Sequence, residues 1–171
     1  MSLISIEFAV GFLLFLPLYW SFRRSPQTQN LLLTAAGLGM LWYFVSGAAV
    51  LVLVGFTTGI YLISRGLSAA QGGGRRLWLW SGVLITLAHL AFWKYADFFR
   101  PAIDAWLQQR GLPHGPFETT WALPLGISYY SFQAISYLVG QYRGQIPAVR
   151  RLSLLGLLNH FGLFLTITSG P

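Results

Sequence analysis

Residues 31–63 read LLLTAAGLGMLWYFVSGAAVLVLVGFTTGIYLI, an apolar run with Ser46-Gly47 near its middle. Whether this run is one helix or two decides the architecture. A bilayer core takes about 20 apolar residues of helix. Positive charge separates the two readings. If the run folds back at Ser46-Gly47, the chain has six apolar segments. Arg23, Arg24, Arg65, Arg75, Arg76, Arg143, Arg150 and Arg151 then share one side, and Lys94, Arg100 and Arg110 lie on the other beside Asp97, Asp104 and Glu118. If it is one helix, the basic residues divide almost evenly and orient nothing. Cytoplasmic loops collect Lys and Arg, so two helices are expected, with the N-terminus and the loop 100–120 facing outward. Each half is short for a span and calls for a thinned bilayer or burial among neighbours. Gly55-Phe56-Thr57-Thr58-Gly59 is a GxxxG match that would let another helix approach closely.

The rest of the chain agrees with this reading. It has 171 residues, 55% hydrophobic and only 9% charged, with mean hydropathy +0.60. Soluble domains run to about a quarter charged, so the chain reads as one all-α integral membrane domain. The expected spans are 3–22, 31–45, 48–63, 77–96, 121–140 and 152–168, some of them short or tilted. A linker is expected at 64–76 and an outer loop at 100–120. Within that region, 97–109 carries Phe98, Ile103 and Trp106 among charges, the pattern of a segment lying along the interface. The net charge of +7 sits mostly in arginine pairs at the ends of apolar runs. That placement suits membrane topology rather than nucleic acid. With no cysteine, disulfides and thiolate chemistry are excluded. The start MSLISIEFAV has neither a basic region nor a small-residue cleavage site and is expected to be a retained span.

His89 and His160 both lie at membrane depth, where an ionisable residue is either functional or a neutral imidazole bonded to a neighbouring helix. His114 reads as a loop residue. Asn159-His160 invites an amide–imidazole pair, but consecutive helical residues point about 100° apart. No metal-ligand, paired-carboxylate, Ser-His-Asp or phosphate-loop pattern is present, and little supports haem. The segment Leu123–Gly144, LPLGISYYSFQAISYLVGQYRG, is apolar yet rich in hydrogen-bonding groups. On a helix Gly126, Tyr129, Gln133, Ser136, Tyr137 and Gly140 fall within an arc of about 100°. Leu125, Ile127, Phe132, Ile135, Leu138 and Val139 fall outside it. Lipid cannot satisfy Gln133 or tyrosine hydroxyls, so the polar arc faces protein or a wet cavity. Interhelical glue and a tunnel wall are both open on this pattern.

That segment resembles the signature of the membrane-bound O-acyltransferase family. The nearest branch is the bacterial one that includes the alginate O-acetylation membrane subunit and the teichoic-acid D-alanyl transfer protein. Its pattern is PLGIS, then FQ, SYL and a Y-R-G turn. FWKYADFF at Phe92–Phe99 is similar to the branch's F-K-Y-x-x-F-F segment, and FLLFLPLYW with the following NLLLTAAGLGMLWYF resembles its opening helices. The resemblance implies the front part of a helical bundle around a polar tunnel. It implies acyl transfer, acetyl above all, to a hydroxyl of an exported polysaccharide or cell-wall polymer. The donor would be acetyl-CoA or an acylated carrier protein. The partners would be the bilayer, a C-terminal half and other inner-membrane or periplasmic subunits. A non-catalytic scaffold or conducting subunit is the alternative.

Motif positions carried over as tunnel or structural residues are Lys94, Tyr95, Gly126, Ser128, Phe132, Gln133, Tyr142, Arg143 and Gly144. Tyr129 and Ser136 join them from the polar arc. The family's catalytic histidine stands after the Y-R-G turn, in a segment not matched here. His160 does not fit that motif and is a candidate only by its depth. Gly140 stands where the branch often has Asp. A chain stopping at FLTITSGP, just after an apolar run, is expected to be the front of a longer or split protein.

Overall fold

The computed structural model describes residues 6–111, 126–146 and 151–163. Six helices run in order through these residues: α1 (Ile6–Ser21), α2 (Pro26–Phe44), α3 (Gly47–Ala69), α4 (Gly73–Gln109), α5 (Ile127–Tyr142) and α6 (Leu154–Gly162). No strand occurs among them.

The deciding run breaks where serine chemistry breaks it. Val45 and Ser46 both donate backbone N–H groups to the Leu41 carbonyl, closing α2. Ser46 is extended, and its hydroxyl accepts from the Ala49 N–H at 3.2 Å, opening α3. A serine N-cap satisfies an amide that the first helical turn leaves bare. The two helices meet as a hairpin.

α3 is longer than the expected 48–63, because its polar residues cost the helix little. Thr57, Thr58 and Ser68 each return a hydroxyl to the carbonyl four residues back, at 2.7–2.8 Å. The helix therefore continues through Ser64-Arg65 to Ala69, and the expected linker 64–76 shrinks to residues 70–72.

α4 likewise passes the expected end of its span. It runs through Pro101 to Gln109, taking in much of the expected outer loop. Proline removes one ladder bond, while the Ala-, Leu- and Gln-rich stretch after it favours helix. Gly111, at φ 65°, stops it. Arg110 lies over the Trp106 ring at 3.9 Å.

Two helices among the described residues are long and apolar enough to cross a membrane, Gly47–Ala69 and Gly73–Tyr95, with a shorter apolar helix at Val10–Ser21. The described residues are thus all-helical, with apolar helices that suit a membrane location. α1 turns Leu13, Leu14 and Trp20 outward at the edge of the bundle.

α3 is the central post, in contact with α2, α4, α5 and α6. Its Leu53, Phe56, Ile60, Ile63 and Leu67 meet Tyr130, Ala134 and Leu138 of α5 and Leu157 and Phe161 of α6 in one core. Small residues set the closest approaches. A Cβ on Gly37 of α2 would stand 2.7 Å from the Gly162 carbonyl oxygen of α6. One on Gly82 of α4 would stand 2.5 Å from Leu138, and one on Gly66 of α3 would stand 2.6 Å from the Trp78 ring. The GxxxG pair is not among these contacts. Neither Gly55 nor Gly59 has anything within 4 Å of such a Cβ, because both face away from the helices that α3 packs against.

Candidate functional site: a polar cleft between α5 and α6

α5 starts from Gly126, whose φ of 75° is left-handed and favours glycine. It ends in the Y-R-G turn for an equally local reason. Gly144 has φ 74° and gives its N–H to Gln141, while Gln145 reaches back to the Gly140 carbonyl at 2.9 Å. This pair of bonds closes a helix when the residue after its cap is left-handed, a place that favours glycine. The turn brings Gln145 and Ile146 back beside α5.

Two neighbouring stripes of α5 have different tasks. Ile127, Tyr130, Ser131, Ala134, Tyr137, Leu138 and Gln141 are buried at helical spacing. Ile127 and Leu138, which lie off the polar arc, also pack inward into the core, Leu138 against Gly82 of α4. The adjoining stripe, Gln133, Ser136, Tyr137 and Gly140, lines a cleft of about 590 Å³. Gln145, Ile146, Leu152 and His160 close its other sides. The Gln133 carbonyl oxygen Oε1 is buried without a hydrogen-bond partner. An orphan acceptor beside a serine, a tyrosine and an imidazole suits a hydroxyl-bearing ligand, since such a group supplies the missing donor. A Cβ on Gly140 would meet Ile146 at 3.4 Å, so glycine here lets the returning turn pack close against α5.

Asn159 and His160 part company. Asn159 accepts from the Thr34 hydroxyl at 2.7 Å and donates to the Asn30 carbonyl at 3.1 Å, stapling α6 to α2. His160 turns to the cleft. His89 lies across the bundle, stacked on Phe56 at 4.6 Å and 6.1 Å from the Tyr130 ring. Its Nδ1, the Tyr130 hydroxyl and the Ser131 hydroxyl are all buried without partners.

The other motif residues fall in different places. α4 runs antiparallel to α5, as Arg75–Tyr142, Gly82–Leu138 and His89–Tyr130 show. Lys94 and Tyr95 therefore lie level with the start of α5. Two motifs far apart in sequence share one end of the bundle. Both residues are exposed, with the Lys94 ammonium 6.0 Å from the Tyr95 ring. Ser128 and Phe132 are exposed, and Tyr129 is half-buried outside the cleft lining. Tyr142 and Arg143 belong to the opposite end, where the Tyr142 carbonyl accepts from Arg75 at 3.0 Å. His114, Glu118, Pro124 and Arg150 lie outside the described residues.

Gln141 is the residue that sequence reasoning missed. Only 2% exposed, it donates to the Ser64 carbonyl at 2.8 Å and the Ser68 hydroxyl at 2.6 Å, and accepts from the Ser64 hydroxyl at 2.8 Å. The signal was an amide one turn beyond Tyr137 on the face that continues inward.

The chain is 34% identical over 166 residues to the probable alginate O-acetylase AlgI of Pseudomonas syringae pv. tomato. It is 32% identical over 164 residues to that of Pseudomonas aeruginosa. Each match takes in 92% of this chain and 30% of the relative. A peptidoglycan O-acetyltransferase of Helicobacter pylori is 30% identical over 136 residues, 78% of this chain and 24% of that protein. The chain thus spans under a third of the length of these curated relatives. No family model matches it. No solved structure matches it. Homology along almost the whole chain, on top of the PLGIS–FQ–Y-R-G and F-K-Y segments, shows that the chain belongs to the membrane-bound O-acyltransferase family, in the branch of the alginate O-acetylases.

Proposed function

We propose that this chain is the N-terminal portion of a multi-pass inner-membrane O-acetyltransferase acting on an exported polysaccharide or cell-wall polymer. The observation that carries the reading is the match over 92% of the chain to relatives named for alginate O-acetylation. The cleft supports it with hydroxyl-binding chemistry at one place. The donor is a thioester, acetyl-CoA or an acylated carrier. The acceptor oxygen attacks the thioester carbonyl, an ester C–O bond forms, the C–S bond breaks, and the hydroxyl proton ends on the departing sulfur. A histidine general base makes that attack feasible at neutral pH. Gln133, Ser136 and Tyr137 hold the acceptor; the base comes from the remaining portion of the enzyme. His160 reaches the cleft, but its neighbouring amide is committed to α2 and does not orient the ring.

The test is acetyl transfer from labelled acetyl-CoA, measured on this chain alone and together with the complementing C-terminal portion. Turnover is expected only in the second case. Gln133→Leu in the complemented enzyme is expected to lower turnover about tenfold, the worth of one hydrogen bond to the acceptor, while insertion is unchanged. Normal turnover in that variant would remove Gln133 from the site.

Six spans with an outward N-terminus complete the proposal. The helix pairings bring the last residues of α1, α3 and α5 and the first of α2, α4 and α6 to one end, and with them Arg23, Arg24, Arg65, Arg75, Arg76, Arg143 and Arg151, which supports this reading. A reporter fused at Gly73 is expected to be cytoplasmic and one at Gly111 periplasmic. The reverse pattern overturns this orientation.

A further inference from the structure

A second cavity, of about 320 Å³, opens at the arginine-rich end, apart from the α5–α6 cleft. Ser68, Gln71, Gly72, Arg75, Gln141 and Arg151 line it, with Leu67 and Ala70 behind. Two arginines thus line one small polar cavity. The chain has only four carboxylates to neutralise them: Glu7, Asp97, Asp104 and Glu118. Asp97 lies about 33 Å farther along α4 than Arg75, and Asp104 farther still. Glu7 is at the far end of α1 from Arg23.

The chamber is also preorganised. Arg75 is anchored by its bond to the Tyr142 carbonyl at 3.0 Å, with its guanidinium 5.5 Å from the Tyr142 ring. That bond uses one of five donors and leaves others for a ligand. Gln141 spends both of its amide ends on α3, so it forms a neutral wall and offers the chamber no free acceptor. Gly72 and Gly73 open α4 with nothing within 4 Å of where a Cβ would stand. The Gly74 and Arg75 N–H groups are bonded to the Gln71 and Gly72 carbonyls, so the start of α4, where Gly72 lines the cavity, adds its dipole rather than free donors. Planar guanidinium forks match a phosphate better than a carboxylate, because a phosphate offers three acceptor oxygens to converging donors.

We infer that the Arg75–Arg151 chamber binds a phosphate group. The inference is independent of the acetyl-transfer reading, and its test involves no turnover. The phosphate can belong to a soluble ester or to an anionic lipid headgroup, and two arms distinguish them. In the first, the full chain is purified in neutral detergent and titrated with pyrophosphate by calorimetry. In the second, it is reconstituted in phosphatidylglycerol–phosphatidylcholine nanodiscs, and retained phosphatidylglycerol is counted by native mass spectrometry.

Arg151→Gln removes an exposed side chain outside the core and is expected to keep the fold, checked by helix content and melting temperature. Arg75→Lys keeps the charge but loses the fork. Each is expected to weaken binding about tenfold. Pyrophosphate binding that weakens in both variants assigns a soluble phosphate ester. Lipid retention that falls in both, with no pyrophosphate binding, assigns a headgroup. Absence of binding in both arms, or binding that is the same in wild type and folded variants, overturns the inference.

Discussion

Gly37→Leu is expected to split α6 from α2 and to destabilise the bundle by about 3 kcal/mol or more. A Cβ at residue 37 would stand 2.7 Å from the backbone oxygen of Gly162. A side-chain tip can swing aside, but a helix carbonyl moves only with its helix. Separating the two helices also breaks the Thr34–Asn159 hydrogen bond one turn away, leaving the Thr34 hydroxyl only the Asn30 carbonyl of its own helix. It loosens Leu157 and Phe161, which are fully buried, and it shifts His160 away from the α5 face of the cleft. The measurement is thermal unfolding in detergent, with monodispersity as a second readout. Gly55→Leu and Gly59→Leu are the controls. Both positions are open, so each is expected to stay within about 0.5 kcal/mol of wild type. Equal damage at residues 37 and 55 would contradict this assignment of helix contacts.

Gln141→Leu is expected to cost about 3 kcal/mol. It deletes three hydrogen bonds to α3 at once and leaves the Ser64 hydroxyl with only the 3.4 Å approach of Tyr137. Single interhelical bonds in membranes are usually worth less than about 1 kcal/mol, so the expected size rests on three bonds converging on one buried amide. Ser64→Ala is expected to cost less than Gln141→Leu. The double variant is expected to fall short of the sum of the two, because each single change strands a partner that the other removes. An additive double variant would mean that the two residues act separately. The loss should also appear at the basic end, since Gln141 lies directly before Tyr142, whose carbonyl holds Arg75.

The helical class, the break at Ser46-Gly47 and the Y-R-G turn were legible because each depends on a few consecutive residues. A serine caps the helix that follows it, and a glycine adopts the left-handed turn after α5, whatever lies elsewhere. The polar stripe of α5 was legible for a related reason, since a regular helix fixes the angle between side chains. Its use was harder to read. Polar spacing picked out Gly126, Tyr129, Gln133, Ser136, Tyr137 and Gly140; the last four line the cleft, and Gly126 and Tyr129 do not. It also put Ile127 and Leu138 off the inward arc, although the structure buries them at 3% and 0% exposure. α5 has neighbours on two sides, α3 and α4 on one and α6 with the returning turn on the other, and a pattern read from one helix knows only one inside. The missed role of Gln141 has the same origin, because its partners Ser64 and Ser68 lie on another helix.

The sequence by itself determined that this protein is helical, that it is apolar enough for a membrane, where its deciding run folds back, and to which family its motifs belong. All of these are properties of composition, local backbone chemistry and short ordered patterns. Only the tertiary structure decided that Gly37, Gly66 and Gly82 set the helix spacing rather than the GxxxG pair, that Asn159 and His160 serve opposite neighbours, and that Arg75 and Arg151 share a chamber. Those outcomes depend on which surfaces face each other once the helices pack, and the distances that settle them run between segments remote in the chain.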